Sequence, residues 1–224
     1  MKEYTCIIFD LDGTLTRTNE LIYATFNHVT QKYLGKTFTP AEITGMFGPP
    51  EEFVIENLVG KERYHDAFHD FLSFYKENFA GMAKAYTGMR EILEYLIQQK
   101  VIVAAFTGKG RRSTLVTLDA IGFTHYFDYI VTGSDVVRPK PAGEGIQQIL
   151  DTFKLDPAKT IMVGDAVNDI RAAEETGVVM AAVVWDSYGK DAILSMNVDN
   201  VFHTVGEFSD WIKKVIPLNG VGTS

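Results

Sequence analysis

Two aspartates one residue apart, Asp10 and Asp12, close an apolar run and enter a turn at Gly13. Like charges at that spacing repel unless a cation or a proton separates them, so the pair calls for one or the other. A strand followed by an ordinary Asp-Gly turn is the plain alternative, since Asp-Gly alone is a common turn signal. Three more polar clusters follow downstream: Thr107-Gly108, Arg138-Pro139-Lys140-Pro141, and Gly164-Asp165-Ala166-Val167-Asn168-Asp169. Thr-Gly and the proline-flanked lysine are weak signals alone, and Gly-Asp-x-x-x-Asp is a moderate one, since Asp169 would suit the first turn of a helix, where the dipole favours negative charge. Together they bring carboxylates, a hydroxyl and a cation, the groups that nucleophilic or acid–base chemistry requires.

The surrounding pattern shows how these groups are carried. Residues 4–9 read as a strand, and Asn19 to Leu34 has apolar residues near helical spacing at Leu21, Ile22, Phe26, Val29 and Tyr33. Thr39 and Pro40 form a helix start, Gly48-Pro49-Pro50 breaks the segment, and helices resume over 51–59 and 64–79. From residue 16 to residue 82 only helices are expected.

Beyond Ala83 the rhythm alternates. Helices over 89–99, 110–121, 142–153 and 167–176 are interleaved with strands over 101–106, 129–131, 160–163 and 178–184. An edge strand at 199–202 and a helix at 207–215 complete the pattern, and residues 218–224 read as a frayed end. Strands separated by helices imply an α/β fold with a doubly wound, mainly parallel sheet. Ligands on such sheets bind beyond the carboxyl ends of the strands, where all four clusters lie.

Composition narrows the function. The chain has 224 residues, 46% hydrophobic and 22% charged, enough for a substantial buried core. Its net charge of −8 argues against nucleic acid or an anionic membrane as principal partner. Cys6 is the single cysteine and sits in the first apolar run, so it reads as a core residue. No apolar run approaches membrane-spanning length, and no signal-peptide pattern opens the chain, so a cytoplasmic protein is expected.

The ordered set Asp10-Leu11-Asp12-Gly13-Thr14, Thr107-Gly108, Lys140 and Gly164-Asp165 through Asp169 resembles the four motifs of the haloacid dehalogenase superfamily of phosphotransferases. The helical stretch after the first motif resembles that superfamily's C1-type cap, and the likeness runs over residues 5–184. It implies a Rossmann-like core from 1–15 and 83–224, with 16–82 as an inserted helical cap. It also implies a Mg²⁺-dependent phosphatase acting on a small phosphorylated metabolite, similar to phosphoglycolate phosphatases, as a monomer or homodimer. By the same resemblance Asp10 is the nucleophile that forms an aspartyl-phosphate, and Asp12 is the general acid and base. Thr107, Gly108 and Lys140 hold the phosphate. Asp10, the Asp12 carbonyl and Asp165 bind Mg²⁺, with Asp169 either a further ligand or an acceptor for bound water. A β-phosphoglucomutase-like mutase and an inorganic pyrophosphatase remain open on the same scaffold. A non-enzymatic aspartyl-phosphate receiver module is the third alternative, against which the helical insert argues.

Two departures concern the substrate. Phe47-Gly48-Pro49-Pro50 resembles a cap loop that reaches the active site in such relatives, which places Gly48 near the substrate. Glu51 and Glu52 follow it, where an anion site would want a cation. Arg17-Thr18 stands where the family often has Asp-Ser, and Arg17 is expected to supply the missing charge. His65 and His69 have metal-chelating spacing but no third ligand, and Arg111 and Arg112 open a helix, so both pairs read more simply as surface.

Overall fold

The structure is a computed structural model whose described residues are 4–218. The frayed end expected at 218–224 lies, from residue 219 onward, outside the described residues. Strands β1 (Cys6–Phe9), β4 (Ile102–Phe106), β5 (Tyr129–Val131), β6 (Thr160–Gly164), β7 (Val179–Val183) and β8 (Val201–Phe202) form one six-stranded sheet in the order β5-β4-β1-β6-β7-β8. Every pairing in it is parallel. β1 is thus central, and all four of its residues are fully buried, as a strand covered on both faces must be.

Alternation along β1 feeds two cores. Ile7 and Phe9 join a cluster with α5 (Met89–Gln98) and α10 (Val205–Val215), whereas Cys6 and Ile8 join one with α7 (Glu144–Phe153) and α8 (Val167–Thr176). Burial among these residues pushes the Cys6 thiol up to about 12, so it serves as a core residue rather than a nucleophile.

The helical segment has a core of its own. α1 (Asn19–Leu34), α3 (Glu51–Val59) and α4 (Lys61–Met82) pack Leu21, Phe26, Ile55, Phe68, Phe71 and Tyr75 together, with Ile43 of α2 (Pro40–Thr44). Thr39 and Glu42 form a reciprocal capping box that starts α2. α4 is longer than the 64–79 that the apolar spacing predicts, starting directly after Gly60 with a charged first turn, Lys61-Glu62-Arg63, that carries no apolar signal.

One expectation fails here. The stretch from residue 16 is not purely helical: β2 (Thr16–Arg17) pairs antiparallel with β3 (Lys84–Ala85), on either side of the helical segment. Two residues are too short for a periodic signal, and the pairing is set by the chain's return. A short helix, α9 (Lys190–Ser195), also escaped the pattern. No helix among the described residues is long and apolar enough to cross a membrane.

Phe208 on α10 is fully buried and packs against Phe9, Trp185, Phe202 and Trp211 beneath the central strand. Phe208→Ala should lower the unfolding free energy by about 3–5 kcal/mol. Phe53→Ala, at a side chain 56% exposed, should change it by less than about 0.5 kcal/mol. Urea denaturation followed by tryptophan fluorescence measures both.

Candidate active site

Sheet register brings the polar clusters together. Phe9 lies level with Ala105 on one side and Val163 on the other, so Asp10, Thr107 and Asp165 emerge side by side just past the ends of β1, β4 and β6. The Asp10 N–H still donates to Val163 O at 2.9 Å, and the Thr107 N–H to Val131 O at 3.1 Å. The chain then turns, with Gly13 N–H bonded to Thr16 O at 2.8 Å. Gly13 has φ +83°, and a Cβ there would stand 2.2 Å from Asp165 Oδ2, so both conformation and space demand glycine.

The buried ammonium of Lys140 ties the cluster. Its Nζ donates to Asp10 Oδ1 at 2.8 Å and to Asp169 Oδ1 at 2.6 Å, and it lies 4.8 Å from the centre of the Phe106 ring. Burial works to strip its proton, but Asp10 and Asp169 outweigh burial and hold it charged. Burial, more than any charge, pushes the Asp10 carboxyl upward against the pull of Lys140. Asp165 is pushed well up by burial and by the neighbouring Asp10 and Asp169.

One oxygen each from Asp10, Asp165 and Asp169 falls within 4.8 Å of the others. Asp165 Oδ1 is 3.4 Å from the Thr14 hydroxyl, while the buried Oδ2 has no hydrogen-bond partner. A buried carboxylate oxygen without a partner, among three acids and a single ammonium, fits a hard divalent cation. Asp169 is otherwise engaged through both oxygens, Oδ1 with Lys140 and Oδ2 with the Ala166 N–H at 3.0 Å.

Asp12 faces a different set of partners. Its Oδ1 accepts from the Thr18 hydroxyl at 2.5 Å, and its Oδ2 is 3.2 Å from Lys109 Nζ. Lys109 is buried, sits 4.5 Å from the centre of the Tyr75 ring, and is held protonated by Asp12, Tyr75 and Glu51 against its burial. Sequence reasoning passed over this lysine, although it directly follows Thr107-Gly108. Thr18 likewise was read only as part of a departure.

Several expected positions fall elsewhere. Arg17 does not reach the cavity: it is mostly exposed, with Nε 3.7 Å from Asp186, and it lines a neighbouring groove. Glu51 is no obstacle to an anion site, because it is turned away into packing: its Oε2 accepts from the Gly110 N–H at 2.6 Å and its Oε1 from Ser113. It therefore caps α6 (Arg111–Ile121) from the helical segment. Glu52 similarly accepts from Ser134. Arg111 forms a two-pronged pair with Asp135, and Arg112 lies over Phe68. His65 and His69 are exposed on α4 and belong to no metal-binding group among the described residues.

Asp10, Asp12, Thr107, Gly108, Lys140, Asp165 and Asp169 all line one cavity of about 120 Å³, which the helical segment closes through Gly48 and its neighbours. Gly48 has φ +134°, and its carbonyl would stand 3.4 Å from a Cβ on Gly108, so this loop runs close against the strand ends. Phe47 meets Tyr188 edge to face at 5.7 Å.

The chain is similar to several known proteins. The family model described as haloacid dehalogenase-like hydrolase matches residues 7–183. A curated relative named pyrophosphatase PpaX, from Bacillus velezensis, is 30% identical over 92% of this chain and 95% of its own. Among solved structures, a haloacid dehalogenase-like family hydrolase from Streptococcus pneumoniae superposes with a TM-score of 0.74 at 26% identity, covering 95% of this chain and 100% of that one. A predicted phosphoglycolate phosphatase from Haemophilus somnus shares the fold, with a TM-score of 0.79 at 22% identity over 96% of this chain and 99% of its own.

Burial lifts the Glu51 carboxyl above its ordinary value of 4.5, against the opposing pull of Lys109 and the Gly110 N–H. The folded protein then holds this proton more tightly than the unfolded chain, so ionising Glu51 costs stability as pH rises above 4.5. Glu51→Gln should flatten that decline in thermal melts taken as a function of pH. Glu51→Ala, which orphans the Gly110 N–H, should cost about 1–3 kcal/mol.

Proposed function

Because this chain belongs to the haloacid dehalogenase-like hydrolases, we propose that it is a Mg²⁺-dependent phosphatase that hydrolyses a small phosphomonoester through an aspartyl-phosphate. The observation that carries this reading is the buried trio Asp10, Asp165 and Asp169, linked through Lys140 and retaining one unpartnered carboxylate oxygen. In this reading residues 16–82 act as the cap over the catalytic core.

The steps follow from the residues. An Asp10 carboxylate oxygen attacks phosphorus, the bond from phosphorus to the ester oxygen breaks, and Asp12 gives its proton to the departing alkoxide. Water then attacks the aspartyl-phosphate, its proton passes to Asp12, and inorganic phosphate leaves with Asp10 restored. The net change consumes one water and yields an alcohol and phosphate. Lys140 neutralises charge on both nucleophile and phosphoryl oxygens, and Thr107 with the Gly108 N–H supplies hydrogen bonds to the phosphate. The Thr18 hydroxyl and the Lys109 ammonium hold Asp12 in place while its protonation alternates.

Asp10, Asp165, the Asp12 carbonyl and the nearby Asp169 would hold Mg²⁺, which supplies positive charge for the transferring phosphoryl group when bound. The relatives named pyrophosphatase PpaX favour a second reading, in which the leaving group is phosphate itself. The same nucleophile and proton donor would serve it.

Asp10→Asn should reduce Mg²⁺-dependent release of p-nitrophenol from p-nitrophenyl phosphate by more than about a thousandfold, as loss of a covalent nucleophile does elsewhere. Turnover that survives this substitution would refute the mechanism. Chelation of divalent cations should abolish activity of the unmodified protein, and restored Mg²⁺ should recover it.

A further inference from the structure

The cavity has two unlike halves. Its floor carries four carboxylates, Asp10, Asp12, Asp165 and Asp169, against two ammonium groups, Lys109 and Lys140. Both ammonium groups are committed. Lys140 is bonded to Asp10 and Asp169, and Lys109 is paired with Asp12. No other cation lines the cavity among the described residues. Arg17, Arg111 and Arg112 are occupied elsewhere, with Asp186, Asp135 and the Phe68 ring.

The roof is apolar. The helical segment contributes Ile22, Phe26, Met46, Phe47, Val54 and Phe71 to the lining. Asn19, at the start of α1, is the one uncharged hydrogen-bonding side chain that segment adds among the described lining residues. Glu51 has both oxygens taken by the Gly110 N–H and Ser113. Phe47 and Tyr188, in edge-to-face contact, both line the cavity.

If the phosphoryl group sits at the floor, as the phosphatase reading requires, the rest of the substrate must lie under this roof. A second anion there would meet apolar side chains and nearby carboxylates, because Lys140 and the Mg²⁺ of the phosphatase reading serve the phosphoryl group and Lys109 is paired with Asp12. A hydroxyl-rich sugar would bury most of its hydrogen-bonding groups against this apolar lining, with only Asn19, Asn168 and Tyr188 as uncharged side-chain partners beyond the Thr107 that serves the phosphate. A short apolar group loses nothing and removes hydrophobic surface from water.

We infer that the substrate is a phosphate monoester of a small, uncharged, predominantly apolar alcohol, alkyl or aryl, seated between Phe26, Met46, Phe47, Val54 and Phe71. This rests on the phosphatase reading and deepens it. It separates this chain from relatives whose leaving group is a second phosphate, and from a phosphoglycolate-like specificity. The apolar roof is then the selecting surface, and Met46, at its edge and only partly buried, is a position where the selection can be altered.

The test compares kcat/KM of the full chain with Mg²⁺ on butyl phosphate, phenyl phosphate, phosphoglycolate, inorganic pyrophosphate and glucose 6-phosphate. The two apolar esters should exceed each of the other three by at least about tenfold, the discrimination an apolar pocket can supply. Met46→Arg should raise phosphoglycolate relative to butyl phosphate by about tenfold or more, with a thermal melt followed by circular dichroism confirming that the variant is folded. Turnover led by pyrophosphate, phosphoglycolate or the sugar phosphate overturns the leaving-group inference and leaves the phosphatase reading standing. An unchanged preference in Met46→Arg also overturns it. Absence of Mg²⁺-dependent turnover on every ester, p-nitrophenyl phosphate included, overturns both together.

Discussion

Everything at the strand ends depends on one buried cation. Three buried carboxylates with oxygens within 4.8 Å of one another could not all stay ionised without compensation. Lys140 answers two of them directly, at 2.8 Å to Asp10 and 2.6 Å to Asp169. Asp165 is left with a buried oxygen that nothing on the protein satisfies. Three ionised carboxylates against one ammonium leave the cluster two positive charges short, a deficit that suits one divalent cation, as the proposed function requires. Glycine at position 13 follows from the same crowding, since any side chain there would occupy the space of Asp165.

A second charged chain joins the helical segment to the sheet. Asp12 pairs with Lys109, Lys109 stands against Tyr75 of α4, and Glu51 of α3 caps the backbone at Gly110. Closure of the helices over the strand ends therefore places buried groups from both parts around the same lysine. Removing the helices would strand Lys109 beside a single carboxylate. This gives the helical segment an electrostatic role at the floor of the cavity in addition to its steric role above it.

The cavity so formed divides its labour by polarity. Charged groups crowd the end where the sheet presents Asp10, Asp12 and Lys140, and aromatic and aliphatic side chains line the end supplied by α1, α3 and α4. The first end is made by residues just past the strand ends, whose positions the sheet register sets. The second end is made of side chains on helices, and small changes there alter what fits without disturbing the chemistry.

The sequence alone determined the layered fold and the strand-end cluster. Local periodicity reports burial, so α1 was expected over Asn19–Leu34 and is found there, and the alternation after Ala83 foretold the parallel sheet. Strand ends are likewise local features, and parallel pairing then obliges Asp10, Thr107 and Asp165 to emerge together. What tertiary structure decided was the pairing of charges. Lys109 is 97 residues from Asp12, and Glu51 is 59 residues from Gly110, and nothing near either acid signals its partner. Arg17 stands five residues from Asp12, yet it points to Asp186 rather than into the cavity. The physical reason is one of range: hydrophobic pattern is written along the chain, whereas a charge is satisfied by whatever lies within a few ångströms after the chain has folded.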